Sequence, residues 1–185
     1  MSDFDFTIFP TLTTVRLNLR ELRESDAADV FVFRGDPEVQ KYNGPPMTDV
    51  SEFDALLGFS RDQFTRKDGL LWALEHRASN HVIGLAGLSY DARHARAALG
   101  YDLARAHWGR GLATEALAAV MRFGFETLNL NRIEAETIVD NAPSVRVLEK
   151  LGFVREGVRR AYSLEEDGLY HDDAIYALLR SEYAT

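Results

Sequence analysis

The chain has 185 residues, 46% hydrophobic and 27% charged, with 21 Lys and Arg against 29 Asp and Glu and a net charge of −8. This mix excludes a disordered chain and suffices for one domain over residues 1–185; it also argues against broad nucleic-acid binding, which draws its affinity from phosphate neutralisation, and suits a cationic or amine ligand. Cysteine is absent, which removes disulfides, thiolate nucleophiles and thiolate-bound zinc, and no apolar run reaches the ~18 residues of a bilayer span.

The first ten residues, MSDFDFTIFP, lack the basic-then-apolar pattern of a signal peptide, so a cytoplasmic protein with no membrane partner is expected. Val15 to Arg20 alternates apolar and polar residues, the period of a half-buried strand. Ser25 or Asp26 is placed to cap a short helix with Val30, Phe31 and Phe33 on its apolar side. Turns at Asp36-Pro37 and Asn43-Gly44-Pro45-Pro46 precede a second helix, which starts near Asp49 or Ser51 and carries Phe53, Leu56, Leu57 and Phe64. Leu70–Glu75, Val82–Tyr90 and Ala95–Leu103 read as three strands, the last two joined by a hairpin loop at 91–94. On the third of these, Ala97, Leu99, Tyr101 and Leu103 share one face, and Ala98, Gly100 and Asp102 the other.

A helix is expected from Leu112 to Leu128, a strand from Arg132 to Val139, and a helix opened by Asn141-Ala142-Pro143 and closed at Leu151-Gly152. Phe153 to Leu164 and Leu169 to Leu179 read as strands joined by a hairpin at Glu165-Glu166-Asp167-Gly168. The order predicts a mixed α/β (α+β) domain with antiparallel hairpins and one or two parallel crossovers.

The stretch from Tyr101-Asp102-Leu103 through Trp108-Gly109-Arg110-Gly111-Leu112-Ala113-Thr114 leads a strand through two glycines into a long helix. The first N–H groups of that helix have no partners within it, and its dipole adds to their attraction for anions. Gly109 and Gly111 allow close backbone approach, and Arg110 adds charge, so the segment can cradle a pyrophosphate. A P-loop is excluded, because Leu112-Ala113 stand where Lys-Ser or Lys-Thr is needed. The dinucleotide fingerprint fits only in part, with Thr114 at its third glycine.

The run Trp108 to Ala116 resembles the acetyl-CoA loop of the GCN5-related N-acetyltransferase (GNAT) superfamily. Asn141-Ala142-Pro143-Ser144 through Glu149-Lys150-Leu151-Gly152-Phe153 is similar to its second signature. Leu99-Gly100-Tyr101, Arg155-Glu156-Gly157, Tyr170-His171-Asp172 and Tyr176-Ala177-Leu178 resemble the branch that acetylates ribosomal proteins. The resemblance covers Leu12 to the C-terminus. One departure is Trp108, which stands where Gln or Arg often opens the loop.

The resemblance implies a single, mostly antiparallel twisted sheet of about seven strands, splayed between the fourth and fifth, with helices on both faces. Acetyl-CoA, the expected acyl donor, would lie in that opening. Backbone groups of Tyr101, Asp102 and Leu103 would align the pantetheine arm, and N–H groups from Gly109 through Arg110, Gly111, Leu112 and Ala113 to Thr114, beside Trp108, would hold the pyrophosphate. Asn141 would contact the pantetheine arm and Ser144 would lie near the sulfur. No metal is implied, and the expected oligomeric state is a monomer or homodimer.

Acyl transfer to an amine needs a neutral amine, a stabilised oxyanion and a leaving thiolate. Ser144 is placed to donate a proton to the sulfur, and Tyr101 is a site-floor aromatic or an acid. The base is the weak point. Relatives often carry Glu two residues before the Gly-Tyr pair, and this chain has Ala98; Ser163 stands where part of the ribosomal-protein branch uses Glu. Glu136, Glu75, His76 and His94 remain as candidates, Glu136 first. An α-amine of pKa ~8 is about one-tenth neutral at pH 7, whereas a lysine near ~10.4 is neutral in about one molecule in 2,500. A site without a strong base therefore favours an N-terminal α-amine or another weakly basic amine over a lysine side chain. The expected substrate wall comprises the turn and second helix, Arg34 to Asn43, and the last hairpin near Glu165 to Asp173, where Asp36, Glu38, Asp167, Asp172 and Asp173 are acids suited to a cation. Small amines (polyamines, antibiotics, amino acids) are the alternative acceptors, and a non-catalytic acyl-CoA-binding module is the alternative class.

Overall fold

A computed structural model of the chain describes residues 4–165 and 167–183. Glu166, in the expected last hairpin turn, lies outside the described residues, as do residues 1–3 of the N-terminal segment. The strands are β1 (Leu12–Thr13), β2 (Leu17–Glu21), β3 (Gly69–His76), β4 (His81–Asp91), β5 (Arg96–Leu103), β6 (Arg132–Ile138), β7 (Val154–Leu164) and β8 (Tyr170–Leu179). The α-helices are α1 (Ala27–Arg34), α2 (Pro37–Gln40), α3 (Phe53–Arg66), α4 (Leu112–Arg122) and α5 (Ala142–Lys150). None is long and apolar enough to cross a membrane.

All eight strands form one sheet in the order β1-β2-β3-β4-β5-β6-β8-β7. Every neighbouring pair is antiparallel except β5–β6. The parallel pair holds register over three residues only, Arg96↔Arg132, Ala97↔Ile133 and Ala98↔Glu134. Beyond Ala98 the strands separate. This is the expected splay; the two-residue β1 moves it from the fourth and fifth strands to β5 and β6.

Strand alternation sorts two cores onto the two faces. One face buries Leu70, Trp72, Ala97, Leu99, Ile133, Tyr176 and Leu178 with Leu117, Val120 and Leu148 of α4 and α5. The other buries Ala73, Val82 and Leu85 with Val30, Phe33, Val39, Phe53 and Leu57 of α1, α2 and α3. Each such large side chain, removed from water, contributes about 1.5–3 kcal/mol. Phe4, Phe6 and Phe9 extend the first core, and Trp72 ties that segment down by donating to the Pro10 carbonyl at 2.8 Å.

Three local expectations change. The helix expected to reach Leu128 is α-helical only to Arg122 and continues as a π-helical turn, Phe123–Thr127, before Asn129 reverses the chain at φ 56°. Asp26 precedes α1 but does not cap it. Its carboxylate accepts from Arg20 at 2.8 and 2.9 Å and from the Arg23 N–H at 2.8 Å, because Arg20 is buried and needs compensation. The 34–43 turn contains the extra short helix α2, capped by the Asp36 side chain accepting from the Glu38 N–H.

Candidate active site

The opening between β5 and β6 is the centre of the site. The Ala95 carbonyl accepts from the Asn131 and Arg132 N–H groups, so odd-numbered residues of β5 direct their backbone groups toward β6. Past Ala98 there is no strand to receive them. By the same alternation the N–H and C=O of Tyr101 face the opening. The Leu103 carbonyl also points there and is occupied by Trp108 Nε1–H at 2.6 Å, which pins the glycine loop to the end of β5.

Asp102 departs from its neighbours. It pairs with Leu85 of β4, and its carboxylate is buried on the opposite face. There it accepts from the Leu85 N–H at 3.1 Å and lies 2.6 Å from Arg34 Nε. Burial pushes its carboxyl above the usual range, with Arg34 and the Leu85 N–H opposing.

At the other end of the opening, Gly109 and Gly111 adopt φ of 71° and 75°, a region that costs other residues about 1–2 kcal/mol. Gly111 is the N-cap of α4, and no side chain caps that helix. The N–H groups of Leu112, Ala113 and Thr114 therefore remain available to an anion. Glu115, in the same turn, is turned aside: it accepts from Thr14 Oγ1 at 2.6 Å, the Arg16 N–H at 2.8 Å and Arg16 Nε at 2.7 Å. Partial burial would raise its carboxyl, and these bonds bring it below the ordinary value. Arg16 also donates to the Arg110 carbonyl at 2.8 Å, which holds the loop from outside. Nearby, burial and the charges of His76 and Arg110 keep His107 below the usual imidazole value.

Asn141 caps α5, its Oδ1 accepting from the Ser144 N–H at 3.3 Å. Ser144 Oγ in turn accepts from the Tyr101 hydroxyl at 3.2 Å. This bond joins β5 to α5 across the opening. Burial raises the Tyr101 phenol above its ordinary value, with the Ser144 bond opposing, so Tyr101 keeps its proton at neutral pH.

On the α1/α3 face, a cavity of about 260 Å³ is lined by Arg34, Asn43, Phe59, Gln63, Gly87, Ser89, Ala98, Gly100, Tyr101 and Asp102, among others. Next to it a second space of about 360 Å³ shares Gln63, Ser89 and Ala98 and adds Arg96 and Glu134. Arg34 and Asn43 belong to the expected wall, and the second helix named with it, α3, contributes Phe59 and Gln63, which the sequence did not single out. Ala98, Gly87 and Gly100 put small residues on the floor of this groove, beside Leu71 and Leu85.

The candidate bases scatter. Glu136, on β6, lies 2.6 Å from Arg159 and is solvent-exposed. Glu75 is held by Arg20 at 2.6 Å and Asn18 at 3.2 Å; burial would raise it, and these bonds bring it below the ordinary value. His94 is bonded to Asp91 at 2.8 Å, and His76 packs against His107 at 5.7 Å between ring centroids. None of the four lines the groove. Glu134, absent from the sequence candidates, does: it is Ala98's partner across the parallel ladder. Only the register, which sequence does not show, brings the two together.

Residues 16–154 match the sequence profile of the acetyltransferase (GNAT) domain. The uncharacterized N-acetyltransferase p20 of Bacillus licheniformis is 39% identical over 176 residues, 94% of this chain and 98% of that protein. The ribosomal protein uS5-alanine N-acetyltransferase of Escherichia coli is 30% identical over 184 residues, covering 93% and 92% of the two chains. Mycobacterium smegmatis RimJ in complex with CoA-disulfide superposes with a TM-score of 0.85 at 26% identity, over 95% of this chain and 90% of that one. With its splayed sheet and uncapped helix after two glycines, the chain belongs to the GNAT family of N-acetyltransferases.

Proposed function

We propose that this chain transfers the acetyl group of acetyl-CoA directly to a primary amine, and that the acceptor is an N-terminal α-amine of a protein. The observation that carries the reading is the Tyr101–Ser144 bond across the opening, beside the unpaired backbone of β5. Among relatives, the N-acetyltransferase of Escherichia coli is named for an alanine of ribosomal protein uS5, and the RimJ structure holds a CoA species.

In this reading the pyrophosphate rests on the N–H groups from Gly109 to Thr114, and the pantetheine arm runs along Tyr101 and Leu103 toward Asn141. The Tyr101 N–H faces the thioester carbonyl and stabilises the oxyanion. The neutral amine attacks the carbonyl carbon, forming the C–N bond. The C–S bond then breaks, and the thiolate takes a proton from Ser144 Oγ–H, which Tyr101 replenishes through its hydrogen bond; the surplus proton of the acylated nitrogen passes to water, from which Tyr101 is reprotonated. The chain has no cysteine, which suits direct attack without a thiol acyl-enzyme. The acceptor enters from the groove on the α1/α3 face, whose floor has small residues at Gly87, Ala98 and Gly100.

Incubation with acetyl-CoA and acceptors that present either an N-terminal or a lysine amine, with thiol release followed and products mapped by mass spectrometry, tests this. Turnover with small amines only would assign the alternative acceptor class, and CoA binding without turnover would assign the non-catalytic module.

A further inference from the structure

The β7–β8 hairpin carries a buried acid that the steps above do not use. Asp173 of β8 pairs with Ile138 at the end of β6. Ala174, Tyr176 and Leu178 belong to the core under α4 and α5, so by alternation Asp173 faces the opposite side of the sheet, as do Glu134, Glu136 and Ile138 of β6. That is the face of the sheet that carries the acceptor groove, which Glu134 lines and Asp173 lies beyond. Ile138 also leads into the site: its carbonyl accepts from the Asn141 N–H at 2.9 Å, and Asn141 caps the turn that holds Ser144 against Tyr101.

Asp173 is 6% exposed. Its Oδ2 accepts from Ser163 Oγ at 2.7 Å. Its Oδ1 is buried and has no hydrogen-bond partner among the described residues. A buried carboxylate oxygen without a donor is costly, and such a group in a folded protein calls for an explanation. The neighbouring charges are committed elsewhere. Arg159, Asp173's partner across the strands, is held by Glu136 at 2.6 Å and lies over the Tyr162 ring at 4.8 Å; its charge is felt at Asp173, but it gives Oδ1 no hydrogen bond. Asp172 accepts from the Ala161 N–H at 2.7 Å, and His171 is bonded to Asp167 at 2.9 Å.

We propose that Asp173 is the carboxylate that receives the ammonium group of the acceptor, with Oδ1 as the contact atom and Ser163 fixing the orientation of the carboxylate; the assignment rests on the amine-transfer reading above. A primary ammonium brings what Oδ1 lacks, a positive charge and N–H donors in a compact group. The amine reaches Oδ1 from the groove side, beneath β7, where Arg159↔Asp173 and Ser163↔His171 leave an irregular stretch between them and Ala161 sits at φ 48°. A bulge breaks the strand pairing there and is a place where the strand can yield to an entering amine.

The test compares wild type with D173N, which keeps nearly the same shape and still accepts from Ser163. Each is assayed with acetyl-CoA and a lysine-free peptide bearing a free N-terminal amine. Binding of CoA and inhibition by the same peptide lacking that amino group are measured alongside. The expected result is a fall in kcat/KM of tenfold or more, mainly through KM. CoA affinity stays within twofold and the desamino peptide inhibits both proteins equally. S163A shows a smaller loss of the same kind. Wild-type turnover with D173N within twofold would overturn the assignment alone. Loss of CoA binding or of the fold in D173N would overturn it as well, by showing a structural role. Absence of wild-type turnover on every amine would overturn the amine-transfer reading and this assignment with it.

Discussion

The Tyr101 hydroxyl donates to Ser144 Oγ at 3.2 Å, and it is the side-chain bond that ties β5 to α5 across the gap where the sheet opens. Ser144 is thereby free to point its own proton at an acceptor in the gap, while partial burial raises the Tyr101 phenol further above neutral pH. S144A should lower the single-turnover rate by about a hundredfold, the low end of what general acid catalysis contributes. Y101F, which leaves the serine hydroxyl in place, should lose less. CoA affinity should hold within threefold in both. A loss below about threefold in S144A would leave Ser144 a first-turn residue of α5 and nothing more.

The glycine loop makes a separate prediction. A Cβ at Gly111 would have room, its nearest neighbour being Arg16 at 3.7 Å, so the cost of G111V lies in the backbone at φ 75° and in the approach of a ligand. Stability should fall by about 1–2 kcal/mol, a few degrees in Tm for a chain of this size. CoA affinity should fall tenfold or more by calorimetry. A folded G111V variant with wild-type CoA affinity would remove the loop from the donor site.

Glu115 links the start of α4 to Thr14 and Arg16 in the turn between β1 and β2, and its carboxyl titrates below its ordinary value in the folded chain. Its contribution is therefore fully present above the unfolded value of ~4.3 and is lost as pH falls through the lower folded value. E115Q should cost about 1–3 kcal/mol at pH 7, as expected when a charged hydrogen-bond partner of Arg16 is removed. The gap between wild type and variant should close in acid. Urea unfolding of both proteins at pH 7 and pH 3 measures it; a gap that widens in acid would contradict the account.

Glu136 makes a contrasting case. Its carboxylate is exposed and bound to Arg159 at 2.6 Å, and an exposed pair of this kind is worth little. E136Q should change kcat/KM less than twofold and leave the shape of the pH profile alone. A tenfold loss with a shifted profile would restore Glu136 as the base.

Much of the fold was legible because it depends on short-range pattern. The alternation of Ala97, Leu99, Tyr101 and Leu103 assigns β5's faces, and both glycines of the loop take the left-handed conformation their positions suggest. The Asn141 cap and the end of α5 at Gly152 are also local. What was not legible depends on register or on distant partners. Asp26 looks like a cap until Arg20 claims it, and Glu75 looks like a base until the same arginine binds it. Glu134 gains interest only when the parallel ladder sets it beside Ala98. Asp173 reads as one more rim acid, and its burial follows from pairing with Ile138 and Arg159. Trp108's role in holding the loop to Leu103 is likewise invisible in sequence.

Acceptor preference tests the central claim most directly. Two matched peptides suffice, one with a free N-terminal amine and no lysine, the other N-terminally acetylated with one internal lysine. Acetyl transfer to each is measured with acetyl-CoA at pH 7 and at pH 9. Without a strong base the rate follows the neutral fraction of the amine, about one-tenth for an α-amine of pKa ~8 and about one in 2,500 for lysine at pH 7. The account predicts at least tenfold faster acetylation of the α-amine at pH 7. It also predicts log kcat/KM rising with a slope near one up to the acceptor's own pKa, so that the lysine peptide gains more between pH 7 and pH 9. Equal rates on the two peptides at pH 7, or a bend that stays at one pH when the acceptor's pKa changes, would contradict it.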